Sequence, residues 1–130
     1  MEKLSSIYAS INGGIADRND CCVRSFSIVL EKPYSEVHAV CAKYGRRKNS
    51  GMYYTQQRDV AKEYGMTPVK VYGISPNGNP TVLQFIKAFP KGRYYVARSG
   101  HAFAIIDGVI HDWKSGTGIR SRIIHAFKAD

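Results

Sequence analysis

The sequence is poor in acidic residues, in cysteine and in long apolar segments. Its 130 residues include 10 Asp and Glu against 19 Lys and Arg, and three cysteines. The longest wholly apolar run extends only from Ala102 to Ile106, whereas a membrane-spanning helix needs roughly 20 apolar residues. No apolar stretch follows a basic start at Met1, as a standard secretory signal would require. We therefore expect a cytoplasmic protein without a membrane span, with reduced thiols rather than a disulfide scaffold.

The rest of the composition is that of a globular domain. Hydrophobic residues make up 44% of the chain and aromatic residues 12%, which argues against a disordered or fibrous protein. The length predicts one domain over residues 1–130, because two domains would each have too small a core. The net charge of +9 at pH 7 predicts acidic partners, among them nucleic acid, an anionic protein surface or an acidic substrate.

Hydrophobic spacing and capping residues predict helices in the first two thirds of the chain and strands in the last third. The predicted helices are residues 21–30, a helix from Ser35 to a glycine cap at Gly45, a helix from a Thr55 cap to just before Gly65, and residues 79–89. The predicted strands are residues 69–72, 93–98, 101–106, 109–113 and 119–127. The sequence therefore predicts an α+β fold, with N-terminal helices followed by a C-terminal antiparallel sheet.

Cys21 is the strongest candidate for a nucleophile. It opens the first predicted helix after Asn19 and Asp20, which are both common N-cap residues. The positive end of the helix dipole and the free N–H groups of the first turn favour a thiolate, whereas an ordinary cysteine has a pKa of about 8.5. The alternative is that Cys21 and its neighbour Cys22 are small buried hydrophobic residues, a common role of cysteine.

His101 is the candidate general base, because it opens a predicted strand directly after Gly100. A histidine base must also be held by a group that accepts its other N–H. Asp107 and Gly108 between two β-rich runs predict a hairpin with a two-residue turn. In that register Asp112 lies on the same face as His101, diagonal to it and within side-chain reach.

The length of this turn decides between two partners for His101. With a two-residue turn, His111 pairs with Ala104 and lies on the other face of the hairpin. A three-residue loop with a bulge would reverse the faces and bring His111 to the side of His101. Asp112 is therefore the predicted partner, and His111 is the alternative.

These residues resemble the papain-like cysteine peptidase superfamily. Residues 19–24 are similar to the helix start of bacteriocin-processing and NlpC/P60-type peptidases, and the arginine three residues after the cysteine resembles that of ovarian-tumour deubiquitinases. Residues 100–113 look most like small papain-like proteins encoded by tailed phages. In the resembling families the cysteine directly follows an aspartate, as Cys21 follows Asp20, and this favours Cys21 over Cys22.

The resemblance covers most of the chain and implies a papain-like fold with three catalytic residues. Cys21 would be the nucleophile, His101 the general base and Asp112 the residue that orients the base. Papain-like enzymes often place a glutamine about six residues before the nucleophile as an oxyanion-hole donor, but Ile15 stands at that position. The Asn19 side-chain amide and the Cys21 backbone N–H are the candidate donors instead, although a helix cap explains Asn19 equally well.

A basic run in the middle of the chain predicts a nucleic-acid interface. The run consists of Arg46, Arg47 and Lys48. Tyr53 and Tyr54 follow it, so the segment offers both phosphate contacts and base stacking. Residues 93–98 contain a similar mixture of arginine and tyrosine. The alternative is that this charge forms a solvated loop.

Two function hypotheses follow from the sequence. The leading one is a papain-like thiol hydrolase, a cysteine peptidase or isopeptidase, which acts on a peptide or protein and needs no cofactor. The alternative is a non-enzymatic basic protein on a peptidase-like fold, which binds nucleic acid or an acidic host protein in the host cytoplasm if it is phage-encoded. A zinc site at His38 and Cys41 with one cysteine of the adjacent pair is weaker, because no CxxC pair supports it.

Overall fold

The computed structural model describes residues 19–76, 78–112 and 120–129. Its helices are α1 (Cys21–Leu30), α2 (Tyr34–Lys43), α3 (Tyr54–Glu63) and α4 (Val82–Ala88). Its strands are β1 (Thr67–Val69), β2 (Arg93–Arg98), β3 (His101–Ile106), β4 (Val109–His111) and β5 (His125–Ala129). The strands form one antiparallel sheet in the order β1-β5-β2-β3-β4. The predicted α+β class is confirmed, with most helices N-terminal to the sheet.

Helix α1 is the central helix of the domain and has the predicted bounds. Most of its residues are buried. Val23, Phe26 and Val29 have at most 1% of their surface exposed. Asp20 occupies the N-cap position, but its side chain makes no capping hydrogen bond. Its carboxylate instead accepts hydrogen bonds from Arg24 Nε at 2.9 Å and from the Tyr34 hydroxyl at 2.7 Å. The start of α1 is thus tied both to its own second turn and to α2.

The starts of the other three helices differ from the predicted ones, and the helix predicted at residues 79–89 is α4 at Val82–Ala88. Helix α2 begins at Tyr34 after Pro33, one residue before the predicted Ser35 cap, because proline's fixed φ suits a helix start. Helix α3 begins at Tyr54 rather than after Thr55, and the Gln56 side chain accepts the Tyr53 N–H at 2.9 Å. The predicted capping box before α4 is confirmed by reciprocal hydrogen bonds between Thr81 and Gln84.

The sheet is packed on both faces. Helices α1 to α3 cover one face, where Phe26 stacks on Tyr95 with ring centroids 4.0 Å apart. Helix α4 covers the other face, where Phe85 packs against Phe103 and Tyr94. Because residues of both faces are buried, the four inner residues of β2 and all residues of β3 after His101 are apolar, which explains why these strands were easily predicted.

The β3–β4 hairpin has the predicted register. Asp107 and Gly108 have φ values of 48° and 77°, as a two-residue turn with positive φ at both positions requires. Ala104 pairs with His111, as the two-residue turn predicts. The carboxylate of Asp107 also accepts the Gly92 N–H at 2.8 Å, which fixes the turn to the chain that enters β2. This register determines which residue lies beside His101.

Three predicted strands were wrong in their bounds. The strand predicted at residues 109–113 is β4, which ends at His111. The strand predicted at residues 69–72 is β1 at Thr67–Val69, and the strand predicted at residues 119–127 is β5 at His125–Ala129. Before β5 the Ile123 N–H bonds to the Pro80 carbonyl and the Ile124 N–H to the Ala97 carbonyl. The Ile123 bond holds the chain against the segment before α4, whereas the Ile124 bond is made to β2 itself, so the regular ladder starts beside it at His125.

Candidate active site

Cys21 is the first residue of α1 and is half-buried. Its backbone carbonyl accepts a hydrogen bond from the Ser25 hydroxyl at 2.6 Å. The N–H groups of the first turn of a helix have no partners within the helix, and they give this end a partial positive charge. The sulfur is hydrogen-bonded to the His101 side chain and to the backbone N–H of Ala102. The start of α1 therefore lies against the start of β3.

His101 contacts Asp112 as the hairpin register predicts. Its Nε2 lies 2.9 Å from Oδ1 and 3.1 Å from Oδ2 of Asp112. Both side chains are almost completely buried, with 3% and 4% of their surface exposed. Because Nε2 donates to the carboxylate, Nδ1 is the ring nitrogen left for Cys21. The imidazole thus connects the cysteine to the aspartate, and His111 lies on the opposite face of the hairpin.

The environment of Cys21 favours its thiolate. The pKa of Cys21 is lowered to about 4, and the largest cause is a hydrogen bond from the Cys22 thiol. Burial acts in the opposite direction, while the hydrogen bonds from His101 and Ala102 and the charge of His101 lower the pKa further. The helix N-terminus acts in the same direction. A thiolate at this position is the form that reacts as a nucleophile.

The environment of His101 favours its imidazolium. Burial lowers the pKa of His101, but the hydrogen bonds with Asp112 and Cys21 outweigh it, and the pKa rises to about 9. The charges of Asp112 and Cys21 act in the same direction as these hydrogen bonds. Between about pH 4 and pH 9 the two side chains form a thiolate–imidazolium pair.

The other two cysteines are held as neutral thiols. The pKa of Cys22 is raised far above its ordinary value by its hydrogen bond to Cys21 and by burial. Burial raises the pKa of Cys41 to about 12, against the opposing charge of Arg46. Cys21 is therefore the thiolate of the three at neutral pH, and Cys22 supports it as a hydrogen-bond donor.

Asn19 lies beside the cysteine, where an oxyanion-hole donor is expected. It borders a cavity of about 360 Å³ together with Cys21, Gly100 and His101. Its side-chain Nδ2 donates a hydrogen bond to the Asn49 carbonyl at 3.0 Å, and an asparagine amide has a second N–H. The oxyanion role of Asn19 stays a prediction, and Ile15, where a glutamine was expected, lies outside the described residues.

A larger groove of about 750 Å³ also begins at Cys21 and His101. Several large apolar side chains on its walls are exposed to solvent. They are Tyr53, Tyr54, Tyr72 and Ile124, with 79%, 47%, 71% and 47% of their surface exposed. A small protein rarely exposes such a group of apolar side chains in one place unless the surface binds something. The sequence prediction assigned Tyr53 and Tyr54 to base stacking and did not identify this groove.

A second histidine borders the groove and was not predicted. His125 Nε2 lies 2.8 Å from Oε1 of Gln57, which also accepts the Tyr95 hydroxyl at 2.7 Å. Burial lowers the pKa of His125. Gln57 and His125 are separated by 68 residues, so no sequence pattern links them. The only local signal is that His125 lies in a β-rich run.

The structure separates the three members of the basic run. Arg46 is buried, its Nε donates to the Ser50 carbonyl at 2.9 Å, and one terminal nitrogen lies 3.5 Å from the Asn19 carbonyl. Arg46 therefore holds the 46–50 loop beside the start of α1. Arg47 and Lys48 are exposed, so the predicted nucleic-acid interface now depends on these two side chains.

The second predicted mixture of tyrosine and arginine is not a base-stacking surface. Tyr94 and Tyr95 have 3% and 0% of their surface exposed, so neither ring is open to a base. The guanidinium of Arg93 donates to the Val29 and Ile28 carbonyls at 2.7 and 2.9 Å. These hydrogen bonds join the C-terminal end of α1 to the start of β2, so the role of Arg93 is structural.

The described residues contain neither a metal-binding cluster nor a membrane-spanning helix. Within residues 19–76, 78–112 and 120–129, no group of three or more His, Cys, Asp or Glu side chains is placed to hold a metal ion. None of the helices in these segments is both long and apolar enough to cross a membrane. Comparison of the chain with protein-family models, curated proteins and solved structures found no match.

Proposed function

We propose that this protein is a papain-like thiol hydrolase that cleaves peptide, isopeptide or related amide bonds. The observation that carries this proposal is the position of His101, whose ring contacts both the Cys21 sulfur and the Asp112 carboxylate. A nucleophile, a base and a residue that orients the base are the three parts of a hydrolytic triad. Catalysis by these side chains requires no cofactor.

In the first half of the proposed reaction, the Cys21 thiolate attacks the carbonyl carbon of the substrate. A C–S bond forms, and the negative charge moves to the carbonyl oxygen. The His101 imidazolium then donates its Nδ1 proton to the amide nitrogen, the C–N bond breaks, and the amine leaves. The product is a thioester on Cys21 and a neutral imidazole, which Asp112 holds in the Nε2–H tautomer.

In the second half, His101 takes a proton from water and the resulting hydroxide attacks the thioester carbonyl. The C–S bond breaks, the carboxylic acid leaves, and the thiolate–imidazolium pair forms again. The Cys21 backbone N–H and the second N–H of the Asn19 amide are the proposed donors to the oxyanion in both halves.

The two cavities support a chain-like substrate. The groove of about 750 Å³ and the cavity of about 360 Å³ both border Cys21 and His101. A substrate that lies across the pair has one side in the apolar groove and the other in the smaller cavity beside Asn19. Exposed tyrosine rings offer contact area at a low cost in conformational entropy, which suits an extended peptide.

Thiol labelling tests this proposal without a known substrate. At pH 6 iodoacetamide should alkylate Cys21 much faster than Cys22 or Cys41, because only Cys21 is a thiolate there. Peptide mapping by mass spectrometry measures the three rates. His101→Ala should lower the rate at Cys21 at pH 6, because it removes a hydrogen bond and a charge that favour the thiolate, whereas His125→Gln, a change in the same groove, should leave that rate unchanged. Equal labelling of the three cysteines in the native protein would contradict the proposal.

The competing proposal is a basic binding protein that engages nucleic acid or an acidic host protein. It is supported by exposed Arg47, which borders a cavity of about 690 Å³ with Tyr53, and by exposed Lys48. Phosphate contacts release counterions, so affinity for single-stranded DNA should fall steeply with salt. Changing both residues to Gln should reduce the slope of log affinity against log salt by up to about two. Tight DNA binding in a protein whose Cys21 is unreactive would favour this function over hydrolysis.

A further inference from the structure

The groove beside the proposed triad is lined by basic side chains but by no described acidic side chain. Lys70 and Arg98 lie on its walls, and no described Asp or Glu side chain borders it. Neither basic side chain forms an ion pair with a described residue. A cleft that holds basic side chains without acidic partners attracts anions.

Arg98 is placed next to the proposed general base. It is the last residue of β2 and pairs with His101, the first residue of β3, across the antiparallel ladder. Directly paired residues project from the same face of a sheet, with Cβ atoms about 5 Å apart. The arginine side chain therefore starts beside the imidazole at the end of the groove where the proposed reaction occurs.

The hydrogen bonds of Arg98 leave part of its guanidinium without an acceptor. One terminal nitrogen donates to the carbonyl of the adjacent Ser99 at 3.2 Å. The Nε atom is buried and has no hydrogen-bond partner in the described part of the chain. A buried N–H without an acceptor is unfavourable, and such groups are uncommon in folded proteins. A carboxylate from a ligand would supply the missing acceptor, since guanidinium binds carboxylates through two parallel N–H groups.

We propose that the substrate carries a carboxylate close to the scissile bond and that Arg98 binds it. Lys70, which directly follows the last residue of β1, adds positive charge to the same groove. This inference rests on the proposed function, because it concerns the substrate of the same site. The exposed tyrosines and the two cations together select an acidic peptide with bulky apolar residues. The carboxylate is that of an Asp or Glu side chain or of a chain terminus.

A pair of small reagents measures the charge beside Cys21 directly. Iodoacetate and iodoacetamide alkylate the same sulfur, but only iodoacetate carries a carboxylate. The ratio of their rates at Cys21 should fall about five-fold in Arg98→Gln at low salt, as expected for loss of one charge a few ångströms away in water. Arg98→Lys should keep most of the ratio. Lys87→Gln removes an equal charge from an exposed position of helix α4 and should leave the ratio unchanged.

The outcomes separate this inference from the proposed function. Cys21-selective labelling with the same ratio in Arg98→Gln and in the native protein overturns the role of Arg98 alone. Unselective labelling of all three cysteines overturns the thiol hydrolase itself. Arg98→Met, a second neutral variant with a long apolar side chain, must reproduce the effect of Arg98→Gln, and a normal ratio in Arg98→Met also overturns the inference.

Peptide vinyl sulfones identify the source of the carboxylate. One pair of probes differs only in Glu against Gln beside the electrophile, and a second pair differs only in a free or amidated C-terminus. Faster labelling of Cys21 by the Glu probe, lost in Arg98→Gln, assigns the site to an acidic side chain. Faster labelling by the free acid, lost in the same variant, assigns it to a chain terminus. Equal rates within both pairs overturn the proposal.

Discussion

The groove has a histidine in each of two regions. The two rings have similar hydrogen-bond distances, but their pKa values are shifted in opposite directions. His101 begins β3 and lies 2.9 Å from a side-chain oxygen of Asp112, and His125 begins β5 and lies 2.8 Å from a side-chain oxygen of Gln57. Burial acts to lower the pKa of both rings. The pKa of His101 nevertheless rises to about 9, whereas the pKa of His125 falls below its ordinary value.

The difference comes from the charge of the groups around each ring. Asp112 and Cys21 both favour the protonated form of His101 through hydrogen bonds and charge. Gln57 is neutral, and its oxygen is shared with the Tyr95 hydroxyl. A carboxylate stabilises an imidazolium, but an amide only orients a neutral imidazole. At pH 7 His101 is therefore a proton donor at one end of the groove, whereas His125 is a neutral polar side chain at the other.

The largest expected effect comes from giving His101 the kind of partner that His125 has. Asp112→Asn replaces the carboxylate with an amide of nearly the same shape. Hydrolysis should fall by up to about 10³-fold, somewhat less than the roughly 10⁴-fold loss in a serine triad, because a thiol is intrinsically more nucleophilic. The measurement is kcat/KM on any cleaved peptide, or the labelling rate of Cys21 at pH 6. Thermal unfolding by circular dichroism confirms that the variant is folded.

His111→Gln is the matched control for this change, because His111 lies on the opposite face of the same hairpin. Its kcat/KM should stay within a few-fold of the native value. A large loss in His111→Gln with a small loss in Asp112→Asn would assign the third role to His111. That result would indicate the Cys-His-His arrangement of NlpC/P60-type enzymes.

The next largest effect is a difference between the pH profile of Cys21 alkylation and the pH profile of hydrolysis. Cys21 becomes a neutral thiol as the pH falls through about 4, so both alkylation and hydrolysis should decline about ten-fold per pH unit below that value. His101 loses its proton as the pH rises through about 9. Hydrolysis should then fall, because the leaving amine needs that proton, whereas alkylation should continue. Parallel profiles at high pH would show that His101 is not the acid.

The local part of this site could be predicted from the sequence. The start of helix α1 at Cys21 could be predicted because its apolar residues recur at helical spacing after two residues of common N-cap type, although Asp20 makes no capping hydrogen bond. Asp107 and Gly108 favour a two-residue turn. Because side chains of a strand alternate between its faces, this turn places Asp112 on the same face as His101. These inferences needed only residues close together in the chain.

The remainder depends on contacts between distant segments, for which the sequence holds no local signal. The bond between Gln57 and His125 joins α3 to β5. The pairing of Arg98 with His101 is local, but the groove that both residues line is formed by distant segments. Arg46 looked like one of three surface cations, yet tertiary packing buries it beside Asn19. The predicted start of β5 was wrong because the Ile123 N–H bonds to Pro80, before α4, and regular pairing with β2 begins only after it.

The smallest expected effect comes from the reverse exchange, which gives His125 the kind of partner that His101 has. Gln57→Glu places a carboxylate against His125 Nε2, and the Tyr95 hydroxyl can donate to it as it does to the amide. A carboxylate at this distance favours the imidazolium, so the pKa of His125 should rise by at least about one unit. NMR titration of the histidine rings measures this shift. Gln56→Glu adds the same charge one residue earlier, where the native side chain accepts the Tyr53 N–H, and it should move the His125 pKa much less. An unchanged pKa in Gln57→Glu would mean that burial, rather than the neutral partner, keeps His125 uncharged, and the contrast between the two histidines would then not depend on partner charge.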